Sequence, residues 1–457
     1  MIAEEAGDRY DVEILDGRIC YVHKNRHVCS LLSLCVERVS TLVSLFYPGF
    51  DRRVARLPSD VLTILLDHLA SRAPLRSLDV SAAKFLLHAG RVQDLVLERL
   101  LMRHRDLREL LAALDTTLLR RITIVNVSCK CQEPPHPPTV QTECRKQYTL
   151  DEEALGSLVR DAHCLKSLDT TLPFDLQSLT SHPELTRLSL RWVRDGDGPA
   201  QSKLSARDLQ ALLLQLPKLQ DLQCDIVDAI LQVSPDVEPL LSRLSTVFLG
   251  PPTGETATDA LVRMCPHAEE VTVHVSSSRD LQPLRQMSRL RKLTIRYSIR
   301  SGPNAFLNDT MFEALGPSVC GALQELELPL QARLRPQSLS AACPQLRVLV
   351  ARSFFRPAVH EEPYFQNLQV LKVDTLLDAS VLLPVCKDTL RELRLTLSEL
   401  TTVDARELAE LVVRCPRMDT LSLVVRSPPV GGSHVLRHAA AYFLGLVARV
   451  PNVRIFC

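Results

Sequence analysis

The chain has 457 residues and is 46% hydrophobic, so it can bury a long core. Its 54 basic residues are matched by 53 acidic ones, which excludes a partner chosen by bulk charge such as nucleic acid. Aromatic residues make up 4%, too few for base-stacking platforms, and no apolar run approaches the ~18 residues of a membrane-spanning helix. The first residues, Met1 to Asp8, are acidic and polar, without the apolar core of a secretory leader. The expected setting is the reducing cytoplasm or nucleus, with the 14 cysteines as free, mostly buried thiols.

Residues 1–29 open with Val12, Ile14, Ile19, Tyr21 and Val22, which predict a short hairpin turning at Asp16-Gly17. Cys20, His23, His27 and Cys29 are potential zinc ligands, but their spacing matches no familiar finger. Small cysteines and surface histidines are the plainer reading, and no metal is expected there.

Residues 30–74 read as a helical region. Leu31, Cys35 and Val39 fall four apart and share one helical face, which Leu34 widens. Ser30 stands where an N-cap would be. A second helix starts at Leu57-Pro58: proline suits the first helical position, and Asp60 suits the positive end of the dipole. Leu57, Val61 and Leu65 then share a face.

From about residue 75 a Leu-x2-Leu-x-Leu template begins. Its first instances are Leu75/Leu78/Val80, Val92/Leu95/Leu97 and Leu119/Ile122/Ile124. A proline-rich insert, 129–146, interrupts it; Cys129, Cys131, His136 and Cys144 lie in this exposed loop, read as free side chains. The template resumes at Leu165/Leu168 and runs to Met418/Leu421/Leu423 at intervals of 20 to 34 residues. Such a period is that of a leucine-rich repeat, each template one short strand with its leucines inward. Helices are expected between the strands. Capping boxes are read at Thr149/Glu152, Ser205/Asp208, Thr256/Asp259, Thr310/Glu313 and Asp404/Glu407. Four helices leave through a shared exit: Leu216-Pro217, Cys265-Pro266, Cys343-Pro344 and Cys415-Pro416. Val453-Arg454-Ile455-Phe456 is expected to close the array as a last strand. The predicted fold is therefore α/β: a leucine-rich-repeat solenoid over 75–457, preceded by a small helical region.

No phosphate-binding loop, Gly-x-Ser-x-Gly elbow or His-Glu-x-x-His helix appears, so no catalytic residues or cofactors are expected. The strand positions that alternate with the leucines are the candidate binding surface. Arg187, Phe248, Lys292, Arg296 and Arg394 stand there, and Arg191 beside Trp192 and Arg296 beside Tyr297 pair a cation with an aromatic ring, a mix enriched at interface hot spots. Together they suit a protein partner carrying a charged peptide tail.

Ser30-Leu31 through Cys35 to Val39 resembles the BC box that docks on Elongin C, and Leu57-Pro58 through Val61 to Leu65 resembles a cullin-2 box. In this order the pair resembles the VHL box of substrate receptors of cullin-RING ubiquitin ligases. The resemblance covers residues 30–65. It implies that Leu31, Leu34, Cys35, Val39, Leu57, Pro58, Val61 and Leu65 meet Elongin C (with Elongin B) and cullin-2, while the repeats hold a substrate for ubiquitin transfer. Leu57-Pro58 through Leu66 also resembles the start of an F-box, which implies Skp1 and cullin-1 instead. The Cys-Pro exits favour that type, yet no further F-box helix with its usual tryptophan is evident. A scaffold or inhibitor outside any ligase is the third reading.

Overall fold

The structure, a computed structural model, describes 10–15, 18–23, most of 92–129, most of 151–190, 206–224, 238–248, 255–297, most of 309–351, 365–376, 388–397, 402–425 and most of 450–456, with single positions between 61 and 87. The strands are, in chain order, β1 (Tyr10–Leu15), β2 (Arg18–His23), β3 (Asp94–Glu98), β4 (Leu101–Met102), β5 (Arg121–Val125), β6 (Ser128–Cys129), β7 (Ser167–Thr170), β8 (Arg187–Leu190), β9 (Asp221–Gln223) and β10 (Thr246–Phe248). They continue with β11 (Glu270–Val275), β12 (Lys292–Tyr297), β13 (Glu325–Glu327), β14 (Val348–Ala351), β15 (Val370–Leu376), β16 (Glu392–Leu397), β17 (Thr420–Val425) and β18 (Asn452–Phe456). The chain forms two compact units, one of residues 28–247 and one of residues 248–457 together with 1–27.

In the 28–247 unit, β3, β5, β7, β8, β9 and β10 pair in parallel. Register aligns Leu95, Ile122, Leu168, Leu188, Leu222 and Val247 in a single row. Every one of them is at most 1% exposed. In the other unit β11 to β18 pair in parallel and align Val271, Leu293, Leu326, Leu349, Leu371, Leu393, Leu421 and Val453. This is the α/β leucine-rich-repeat architecture that the spacing predicts. Each inward leucine contributes roughly 1.5–3 kcal/mol relative to an exposed one, and the repeats stack because none can bury its face alone.

The template continues into the hydrogen bonds. The carbonyl just before a strand accepts two consecutive N–H groups from the next repeat: Gln93 from Arg120 and Arg121 at 2.7 and 3.0 Å, Gln324 from Arg347 and Val348 at 2.8 and 3.0 Å. Arg120, Lys166, Thr186, Gln220, Glu269, Arg291, Arg347, Gln369 and Arg391 do the same. Polar backbone at the strand entry is thereby satisfied without water.

The shared exit is as regular. Leu216, Cys265, Cys343 and Cys415 follow the helices Ala206–Gln215, Glu255–Met264, Pro336–Ala342 and Thr402–Arg414, and are buried. Their carbonyls accept from Leu219, Ala268, Leu346 and Met418, each three residues on, at 3.0–3.2 Å. Ala162, His182, Leu241, Met287 and Cys320 hold the same place elsewhere. The cysteines there are small core residues, as read from the sequence.

Several helix starts differ from expectation. Thr256 and Asp404 lie inside their helices, which begin at Glu255 and Thr402, and Asp309 rather than Thr310 precedes the helix Thr310–Ala322. A box not expected from the sequence exists at Ser277: the Asp280 carboxylate accepts from the N–H groups of Ser276 (2.6 Å) and Ser277 (3.0 Å). It opens a 3-10 stretch, Ser278–Gln286, in which Pro283 prevents an α-helix. Helix His104–Ala112 is tied to helix 151–161 by His104 Nδ1 donating to Asp151, which also accepts from Arg108 at 3.1 Å.

His182 is an outlier in the exit column, an imidazole with no exposed surface where other repeats place Ala, Leu, Met or Cys. Burial holds it below its ordinary value, partly opposed by backbone hydrogen bonds at Val159 and Ser178, with His163 adding to the depression. A histidine whose folded pKa is depressed stabilises above the unfolded value of about 6.5 and loses that stability as pH falls toward the folded one. The melting temperature is therefore expected to fall from pH 7 to pH 5, and His182→Met to flatten that slope. An unchanged slope in calorimetry would refute the assignment.

Candidate protein-interaction surface

The residues that alternate with the inward leucines form two outward rows. In the 248–457 unit the first runs Glu270, Lys292, Glu325, Val348, Val370, Glu392, Thr420. The second runs Thr272, Thr294, Glu327, Val350, Lys372, Arg394, Ser422. Lys292 sits between two carboxylates, at 3.1 Å from Glu270 and 3.6 Å from Glu325. Burial pulls its ammonium down, but the hydrogen bond and charge of Glu270 and the charge of Glu325 outweigh that, and its pKa is raised. Arg296 reaches Glu327 at 2.8 Å, and Lys372 reaches Glu392 at 3.1 Å. Arg394, exposed, follows Lys372 along the second row.

Between these ion pairs lies an uncharged window of half-buried side chains, Val348, Val350 and Val370. Val370 is missed by sequence reasoning because a valine beside Leu371 reads as core; its register place next to Val348 sets it outward. Phe248 meets His274 edge to face, ring centroids 5.6 Å apart. Burial, with the Arg296 charge added, pushes the His274 imidazole down to about 4, so it is neutral at pH 7.

In the 28–247 unit the first outward row is Asp94, Arg121, Ser167, Arg187, Asp221, Thr246. Arg187 donates to Asp221 at 2.9 Å. Burial pushes the Asp221 carboxyl up, but hydrogen bonds from Ser245, Arg187 and Thr246 prevail and lower it. Ser189 and Thr294, which alternate with the inward leucines of their strands, are nonetheless only 2% and 7% exposed: short polar side chains sink between longer neighbours.

Of the sequence-predicted surface residues, Arg187 and Arg394 stand exposed, while Phe248, Lys292 and Arg296 are half-buried on the same kind of row. Tyr297 ends β12 as the register partner of Val275. Arg191 and Trp192 lie outside the described residues, as do Leu31, Leu34, Cys35, Val39, Leu57 and Pro58. Val61 is helical and half-buried. Leu65 is 1% exposed. Cys20 and His23 fall on β2 and Cys129 on β6, while His27, Cys29, Cys131, His136 and Cys144 lie outside the described residues. Among the described residues no helix is long and apolar enough to cross a membrane.

Repeated strands with interleaved helices and charged outward rows define the architecture as a leucine-rich-repeat array. No protein-family model matches the chain, and no curated protein does. Among solved structures it is similar to the leucine-rich repeat-containing protein LegL7 from Legionella pneumophila, at 13% identity, covering 66% of this chain and 87% of that one, with a TM-score of 0.28. At that score the likeness adds nothing to the fold read from the strands themselves.

Proposed function

We propose that the chain is a non-catalytic substrate-recognition subunit of a cullin-RING ubiquitin ligase of the Elongin BC–cullin-2 type. The observation that supports it is a division of labour along the sequence. Residues 30–65 carry two apolar helical motifs in the order of a VHL box, and the repeats that follow keep outward rows that the core does not use. Elongin C would meet Leu31, Leu34, Cys35 and Val39, and cullin-2 would meet Leu57, Pro58 and Val61. The outward rows would hold a protein substrate, and the ligase would act by proximity, raising the local concentration of a substrate lysine at the conjugating enzyme.

Leu31→Ser combined with Cys35→Ser is expected to abolish co-purification of Elongin C and Elongin B while leaving the circular dichroism spectrum unchanged. Retained co-purification would dismiss the reading. The F-box alternative rests on Leu57-Pro58 and the Cys-Pro exits; capture of Skp1 and cullin-1 by the unaltered chain, without Elongin C, would select it. Capture of neither adaptor would leave a repeat-based interaction scaffold.

A further inference from the structure

The last parallel strand of the 248–457 unit does not end its sheet. β2 lies antiparallel on β18, with Val22 opposite Arg454, Tyr21 opposite Ile455 and Cys20 opposite Phe456. β1 follows β2 through six pairs, from Tyr10 opposite His23 to Leu15 opposite Arg18. A strand from the start of the chain thus covers a strand from its end.

Register makes the fit specific. The row of Leu395 and Leu423 on β16 and β17 continues through Ile455, Tyr21 and Val12 on β18, β2 and β1. The hairpin extends the leucine row by its own apolar positions. On the alternate row of the outermost strand stand Asp11 and Glu13, charges of the kind that keep a sheet edge from pairing further. β18 carries one charge on the same row, Arg454, against the two of β1. Its sequence, Asn-Val-Arg-Ile-Phe, carries three large apolar residues in five and no proline, a strand of high pairing propensity once bare. The hairpin, in contrast, has six pairs internal to itself.

We propose that the N-terminal hairpin is a clasp: docked, it seals the β18 edge; released, it yields that edge to β18 of a second copy of this chain. Two identical strands related by a two-fold axis normal to the sheet pair antiparallel. That is the orientation in which β18 already accepts β2. The clasp stands apart from the ligase reading and survives or fails independently of it.

The test uses the full chain. Tyr21→Pro removes an N–H and imposes a backbone angle unsuited to mid-strand pairing, which undocks β2. Sedimentation equilibrium is expected to give twice the mass of the unaltered chain at equal concentration. Adding Ile455→Pro, which spoils the uncovered edge itself, is expected to restore the original mass. An unaltered mass for Tyr21→Pro would overturn the clasp. So would a doubled mass that persists in the double variant. Loss of the helical circular dichroism signal on Tyr21→Pro would make the hairpin an integral folding element and overturn it as well.

Discussion

Iodoacetamide at pH 8 is expected to alkylate Cys164 readily in the native chain and to leave Cys265 and Cys415 about a thousandfold slower. Among the described cysteines Cys164 is exposed, whereas Cys224, Cys265, Cys320, Cys343 and Cys415 are buried. The attacking species is the thiolate. Burial pushes the Cys265 thiol up to about 12. Cys415 stands at about 12 for the same reason, with the Asp388 carboxylate adding to the rise and Arg414 opposing it. At pH 8 a group of pKa about 12 is thiolate in roughly one molecule in ten thousand, against about a quarter for an ordinary thiol near 8.5. Cys343 belongs to the slow class too, held up by its hydrogen bond with Cys320 and by burial. Timed alkylation with peptide mass mapping reads each site. Fast native labelling of Cys265 would show that the exit column is open to solvent, contrary to the repeat assignment; in denaturant all five buried thiols should react at the Cys164 rate.

That cysteine column shows what the sequence can convey. Leu-x2-Leu-x-Leu and the Cys-Pro exit are local patterns, set by residues a few positions apart. Ile122, Leu168 and Leu393, each the middle apolar residue of its template, are buried, and the exit carbonyls repeat one hydrogen bond. The hairpin is legible for the same reason: Asp16-Gly17 between alternating apolar residues is a turn signal in the sequence, and Leu15 and Arg18 on either side of it are register partners. Its seat on β18 is not. Pairing between residues 21 and 455 leaves no local mark, and the register emerges only when the array is assembled. Helix starts are misread where a Thr or Asp three residues ahead of an acid looks like a cap yet sits within the first turn, as Thr256 and Asp404 do. On the candidate surface the polar positions are legible from alternation, but their mutual ion pairs are not. Lys292 belongs to two carboxylates from different repeats, Glu270 and Glu325, and only register brings those together.

The same register separates stability from recognition, and a pair of neighbouring residues can expose the division. Leu393 has no exposed surface and lies between Leu371 and Leu421 in the inward row. Arg394, the next residue, is exposed between Lys372 and Ser422 in the outward row. Leu393→Ala removes buried methyl groups and leaves a cavity that a stacked array closes poorly, because both flanking repeats hold their own hydrogen-bond register. The expected cost is about 2–5 kcal/mol, read as a lowered urea midpoint with little change in slope. Arg394→Ala, on an exposed side chain, is expected to change stability by no more than about 0.5 kcal/mol. The ranking inverts for binding: Arg394→Glu, which adds a carboxylate to outward rows that already carry Glu327 and Glu392, should change capture of the proposed charged partner segment while the melting curve stays in place. If Arg394→Ala proves as damaging to folding as Leu393→Ala, the outward rows are structural and no longer a candidate surface; if neither moves the midpoint, the inward row does not carry the core of this unit.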